Sequence, residues 1–214
     1  MKVYFISGLA ADSRLFKNIR LPAGYEIVHL DWLEPIKGET VGEYAVRMAE
    51  RIDKSEPFGL LGLSFGGMLA AEIALKYGAA KTILISSVPS SKDLPGYFRL
   101  SGHLWLHRLL PVSFIKSAAI TKHLFSVETR EDKETLRQII QDSDNNFIRW
   151  AMDAIVHWKG GGAGFSYIHL HGTRDEVLPV RYTHPTHRIP KAGHMMVMNR
   201  AAELNRIIAE YLLT

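Results

Sequence analysis

Residues 58–77 restrict the fold of this chain more than any other segment. An unbroken apolar run leads through Gly62, Leu63, Ser64, Phe65, Gly66 and Gly67 straight into a helical pattern whose first turns carry Ala70 and Ala71. A run without polar alternation predicts a strand covered on both faces, and a strand that becomes a helix at once predicts a βα unit of a parallel sheet. Similar runs occur at residues 3–6, 26–30, 81–86 and 166–170, with a short candidate at 186–189. Helical periodicity covers 41–54 and the stretch from Arg200, where Leu204, Ile207, Ile208, Tyr211 and Leu212 share one face and Asn199 is placed to cap them. The expected fold is α/β: a doubly wound, mostly parallel sheet of about six strands.

The alternation fails at residues 89–160, which carry several amphipathic helix patterns and no strand signal. In the last of them Phe147, Ile148, Ala151, Ile155 and Trp158 fall on one face, with Ser143 as the expected N-cap and Lys159 followed by glycines as the stop. An insertion between two strands should sit over the carboxyl ends of the sheet, where open α/β folds bind ligands. It is read as a helical lid within a single domain, 1–214, with the glycine run at 160–164 as the hinge back into the sheet.

Composition narrows the function. Of 214 residues, 47% are hydrophobic and 22% charged, the balance of a globular chain with one core. Cysteine is absent, which excludes disulfides, a thiol nucleophile and any Cys-ligated metal. A net charge of +4 mixed with acids does not point to nucleic acid, and no apolar stretch is long enough to span a bilayer. Lys2 and the apolar run after it are read as the first strand and not a secretory signal, because Ser7 and Gly8 interrupt the run, so a cytoplasmic location is expected.

Ser64 is the candidate nucleophile. A GxSxG string matters only between a strand and a helix, where a tight turn lifts the hydroxyl above the sheet at a helix N-terminus; that context is present here. A serine needs a base to take its proton and a carboxylate to orient that base. Among ten histidines His194 stands out, in a turn between the short strand at 186–189 and the final helix. His171, in HG beside a strand, reads as structural; His103, His107, His123 and His157 belong to the insertion, and His184 and His187 flank Pro185 in a loop. Asp175 in HGTRDEVLP is the favoured acid, with Asp93 its competitor and Glu176 expected to point away.

The chain resembles a small member of the α/β-hydrolase superfamily: GLSFGG matches the nucleophile elbow, HGTRDEVLP the acid turn and AGHMM the histidine loop. The match covers nearly the whole chain outside the insertion. The resemblance implies Ser64 as nucleophile, His194 as general base and then acid, and Asp175 as the residue that fixes the imidazole tautomer. It also implies an oxyanion hole from the N–H groups of Leu9 and Phe65, although Ser7 stands where the family usually has His. Two N-terminal antiparallel strands of larger members have no counterpart. A dehalogenase or epoxide hydrolase would need a carboxylate in place of Ser64.

The expected activity is cleavage of a carboxylic ester, thioester or activated amide through an acyl-enzyme, without cofactor or metal. A hydroxynitrile-lyase-type proton transfer, to which the GHM loop is similar, and a non-catalytic receptor on the same fold are the alternatives. Leu104, Trp105, Phe114, Ile115, Trp150, Ile155 and Trp158 offer apolar surface for a pocket facing Ser64. Trp105, Trp150 and Met195 are the expected substrate contacts, with Met196 beside them. Arg99, His103, His107, Arg108, Lys116 and Lys122 read as a solvated helix face, with an anionic ligand or membrane surface as the alternative. The partner is a small ester-like molecule; the oligomeric state is left open.

Overall fold

The computed structural model describes residues 1–109, 111–117, 129–162 and 164–214. Six strands, β1 (Lys2–Ile6), β2 (Glu26–His29), β3 (Gly59–Leu63), β4 (Lys81–Ile85), β5 (Ile168–Gly172) and β6 (His187–Ile189), form a sheet in the order β2-β1-β3-β4-β5-β6. Every neighbouring pair is parallel. The principal helices are α1 (Val41–Ala49), α2 (Phe65–Tyr77), α3 (Gly96–His103), α4 (Arg130–Asp142), α5 (Asn145–Val156) and α6 (Ala201–Leu213).

Alternate residues of the strands feed two cores, as the pleat requires. Tyr4, Leu60 and Leu84 pack with α1, α2 and α5 on one face. Val3, Phe5, Leu61 and Ile83 pack with α4 and α6 on the other. The chain winds outward from β1 to β2 and then returns to β3 on the opposite side of β1, so strand order reverses between β1 and β3. Ile6 is in register with Gly62, and the loops that follow these two strands therefore leave the sheet side by side. This is the crevice in which doubly wound sheets place their chemistry.

Local chemistry sets several boundaries differently from the sequence expectation. A Thr40–Glu43 capping box starts α1, but the α-helix ends at Ala49 rather than near residue 54: the N–H groups of Glu50, Arg51 and Ile52 bond three residues back, to Arg47, Met48 and Ala49, and Asp53 then turns the chain by accepting the Ser55 N–H. Ser143 is not the N-cap of α5. Its hydroxyl bonds back to the Ile139 carbonyl at the end of α4, and Asp144 caps α5 by accepting the Phe147 N–H at 2.7 Å. Asn199 does not cap α6 either; it ends a single helical turn, Met196–Asn199, and α6 starts after Arg200. Strand β5 runs two residues later than expected, which puts His171 and Gly172 inside the strand, since Leu170 and Gly172 pair with His187 and Ile189.

The glycine run at 160–164 is not a free hinge. Ser90 and Gly161 form an antiparallel bridge, flanked by hydrogen bonds from Ser91 N–H to Gly160 O and from Gly162 N–H to Pro89 O, each 3.0 Å. One carboxylate oxygen of Glu72, on α2, accepts both the Gly161 N–H (2.9 Å) and the Trp158 indole N–H (2.6 Å). The insertion is thus closed at its neck and tied to α2. No described helix is long and apolar enough to cross a membrane.

Candidate active site

The turn between β3 and α2 leaves room only for glycine. A Cβ on Gly62 would lie 2.3 Å from the Gly66 carbonyl oxygen, and one on Gly66 would lie 2.2 Å from the carbonyl oxygens of both Ile6 and Ser7. Backbone packed this closely forces Ser64 to φ 53° and ψ −119°, a conformation that costs a non-glycine residue about 1–3 kcal/mol. Surrounding bonds hold it there: the Ser64 N–H donates to Ile85 O at 2.9 Å, and the Ser64 carbonyl accepts the buried Ser87 hydroxyl at 2.6 Å and the Gly67 N–H at 2.9 Å. The Ser64 side chain stands at the positive end of α2.

Asp175 follows β5 in a turn closed by its own N–H to Gly172 O. Its Oδ1 accepts the N–H groups of Val177 (2.9 Å) and Leu178 (2.8 Å), which leaves Oδ2 aimed at His194. The loop carrying His194 is laced to this turn by Arg174 N–H to Ala192 O and Lys191 N–H to the Thr173 hydroxyl. Gly172 permits the approach, because a Cβ there would lie 2.3 Å from Ala192 O. His194 Nδ1 is 2.8 Å from Asp175 Oδ2, and Nε2 is 3.0 Å from Ser64 Oγ. A carboxylate only accepts, so the proton sits on Nδ1 and the Nε2 lone pair faces the serine hydroxyl.

Behind Asp175 lies a buried histidine pair. His171 Nε2 is 2.7 Å from Leu178 O and 3.3 Å from Asp175 Oδ2, both acceptors, so this nitrogen carries the proton. His171 Nδ1 must then accept from His169 Nε2, 3.0 Å away. Desolvation drives both imidazoles toward the neutral form: it lowers His171 and, with His171 as neighbour, pushes His169 down to about 3. Burial opposes ionisation of Asp175 as well, but His194, His171 and the Leu178 N–H outweigh it and hold the carboxyl below its ordinary value. His171, read from sequence as structural, therefore touches the same carboxylate oxygen as His194. The HG pair beside the acid turn was the signal available.

A model of the alpha/beta hydrolase family matches residues 3–207, almost the full chain. The chain belongs to that family. Solved structures with the same fold include an esterase from Exiguobacterium antarcticum, with a TM-score of 0.79 and 19% identity, covering 100% of this chain and 92% of that one. MenH from S. aureus gives 0.78 and 15%, covering 100% and 93%. An enol-lactonase from Burkholderia xenovorans LB400 gives 0.70 and 13%, covering 100% and 91%. No curated protein matches the chain.

In this alpha/beta hydrolase the loop after β1 is held without the usual histidine. The Ser7 hydroxyl and the Trp32 indole N–H both donate to Ala11 O, at 3.0 and 2.7 Å. Ala11 N–H closes the turn on Gly8 O, with Ala10 at φ 56°. A Cβ on Gly8 would lie 3.3 Å from Ser64 Cβ, so the loop passes directly beside the serine. The N–H groups of Leu9 and Phe65 have no acceptor among the described residues.

The insertion covers this loop. Leu9 and Ala10 pack with Val112, Ile148 and Met152. Phe147 and Trp150 set their rings 6.4 and 6.0 Å from Phe65, next to the serine. Trp150 also lines a cavity of about 1170 Å³ between the insertion and α1, and a cavity of about 500 Å³ reaches Ala10 and Phe147; neither is lined by Ser64.

Other expected contacts fall elsewhere. Met195 is 3% exposed and packs into the core beside α6, and Ile155 and Trp158 are buried against α2. Leu104, Trp105 and Phe114 are about half exposed, at 56%, 49% and 50%, and none of them lines either of these two cavities. The ring neighbours of Trp105 are His107 and His157, with Arg108 over its face. Asp93 faces His184, and Glu176 is exposed. Lys122 and His123 lie outside the described residues, as does the side chain of Ile115. Among the described residues one group has metal-ligand spacing, His107, Asp153 and His157, but Asp153 is already engaged by His107 Nε2 at 2.8 Å and by Arg108.

Proposed function

We propose that this protein is a serine hydrolase that cleaves carboxylic esters through an acyl-enzyme. The observation that carries the reading is the continuous hydrogen-bonded line Asp175–His194–Ser64, with distances of 2.8 and 3.0 Å. His194 Nε2 takes the hydroxyl proton as Ser64 Oγ attacks the acyl carbon, and Asp175 stabilises the imidazolium that forms. The carbonyl oxygen becomes an oxyanion facing the Leu9 and Phe65 N–H groups at the end of the α2 dipole. The imidazolium then returns its proton to the leaving alcohol. Water, deprotonated by the same nitrogen, attacks the ester on Ser64, and the imidazolium gives that proton to Ser64 Oγ as the acid leaves.

Thioesters and activated amides would follow the same route, and the chemistry needs only protein groups. Residues 89–160 act as a lid in a single domain, 1–214, with Trp150 and Leu9 beside the acyl group. The expected setting is cytoplasmic. His171 is assigned the role of positioning the Asp175 turn, since its Nε2–H donates to Leu178 O at 2.7 Å and the same nitrogen lies 3.3 Å from the oxygen that binds His194.

A fluorophosphonate probe tests the reading. Mass spectrometry should find the adduct on Ser64 in folded protein, and p-nitrophenyl esters of increasing chain length should be turned over. Absence of the adduct in protein with native circular dichroism would sink the proposal. Cyanide release from a cyanohydrin without ester turnover would replace it with the lyase reading.

A further inference from the structure

Seven of the ten large hydrophobic side chains exposed among the described residues lie between Tyr97 and Phe114, at the start of the insertion. Folded monomers seldom leave so much apolar surface in one place without a use for it. Along α3, Tyr97, Leu100 and the following Leu104 recur at three- and four-residue spacing and so share one face. The opposite face is the packed one: Phe98 is half-buried, and a Cβ on Gly102 would lie 2.8 Å from the Val156 carbonyl of α5. The exposed leucines are therefore not misdirected core. After α3 the chain turns at Trp105, with φ 56°, and continues into the exposed Leu106 and Leu109.

The charge carried by the stripe's own segment has one sign. Residues 94–116 contain Arg99, Arg108 and Lys116 and no acidic residue. Arg99 and His103 flank the leucines and are exposed. The Arg108 guanidinium stacks 3.8 Å over the Trp105 ring, an apolar plate carrying a cation. Asp153 is the acid nearest Arg108, bonded to it at 3.3 Å and shared with His107; Lys116 is occupied with the carbonyls of Gln141 and Ser143. At its other end the stripe reaches the candidate active site. The Tyr97 ring lies 6.1 Å from Tyr182, and burial, Tyr182 and Asp175 together push the Tyr97 phenol up, against Arg181.

We propose that this face docks on an anionic lipid surface, with α3 lying in the plane of the headgroups, Leu100, Leu104 and Trp105 among the acyl chains, and Arg99 and Arg108 on the phosphates. A second copy of the chain fits less well, because a two-fold contact would set Arg99 and His103 against their own images. A peptide ligand would need a groove, whereas α3 is a protruding ridge. Contact is peripheral and reversible, since a short helix supplies one modest anchor. The docking does not depend on the hydrolase reading. If that reading holds, the stripe leads from the lipid to the rim beside Asp175, and the substrate class is esters that partition into a membrane.

Flotation of the purified chain with phosphatidylcholine vesicles, with and without phosphatidylglycerol, tests this. The wild type should float only with phosphatidylglycerol, and less at high salt. Leu100→Asp with Leu104→Asp should abolish flotation, and Arg99→Glu should weaken it roughly tenfold or more. All three sites are exposed, so circular dichroism and turnover of a short, water-soluble ester should not change. Three outcomes would each overturn the proposal: no vesicle binding, binding indifferent to the two aspartates, or light scattering that finds a dimer broken by Leu104→Asp. Flotation that persists while Ser64 takes no fluorophosphonate would leave the surface standing and remove the hydrolase.

Discussion

At the β3–α2 turn, backbone meets backbone so tightly that a methyl group cannot be added, whereas along α3 whole leucines stand in solvent. The first region fixes one atom, Ser64 Oγ, and accepts backbone strain to do so. The second fixes no atom and leaves its surface for something else to cover. The contrast teaches where substitutions should hurt: near Ser64 the cost should lie in chemistry and packing, and on α3 it should be absent from both.

The largest effect should come from Ser64→Ala, which is expected to lower ester turnover by about four to six orders of magnitude while thermal unfolding is unchanged. Retained activity would mean that the elbow positions nothing. Next is Gly62→Ala, whose Cβ would meet the Gly66 carbonyl; a loss of about 3 kcal/mol or more in urea unfolding is expected. An innocuous Gly62→Ala would show that this turn can relax.

His171→Leu sharpens the comparison from within the site. It removes the Nε2–H that holds Leu178 O beside the acid turn, so kcat should fall about tenfold with KM little changed, and His171→Gln, which can still donate to that carbonyl, should recover part of the loss. A mere packing role would leave His171→Gln no better than His171→Leu. The buried pair also predicts a pH-dependent stability. Folding depresses the pKa of His169 from 6.5 to about 3 and lowers that of His171, so the unfolded chain binds more protons below pH 6.5. The stabilisation is complete above that pH and is lost as pH falls toward the folded values, at up to about 1.4 kcal/mol per pH unit for each histidine. Urea titrations at several pH values should show this slope in the wild type and a shallower one in His169→Met. At the small end, Leu109→Ser, on a side chain that is 78% exposed, should change stability by less than about 0.5 kcal/mol.

Much of the elbow was legible because its chemistry is local. A tight strand-to-helix turn demands glycines at fixed offsets, and the apolar run before it has no alternation to misread. Strands β1 and β4 could be read for the same reason, whereas β5, with histidines in its run, lies two residues beyond the expected span. The acid turn and histidine loop stood out as turns beside strands, but their meeting depends on Gly172 admitting Ala192, a tertiary contact without a local signature. Caps were misread by one residue at Ser143 and Asn199 because neighbouring polar side chains compete, and only the backbone decides which of them faces the helix end. The insertion was hardest. Amphipathic periodicity reveals that a helix has an apolar face but not what that face meets, so the exposure of Trp105 and Leu104, away from the two cavities beside Trp150 and Phe147, has no signal in the sequence.

The neck joining Ser90 to Gly161 means that everything between them begins and ends at one spot. Such a segment is, topologically, a loop on a stem: a short turn could close the stem and the sheet would keep its connections. The insertion can therefore be lengthened, trimmed or exchanged as a cartridge while the strands keep their register.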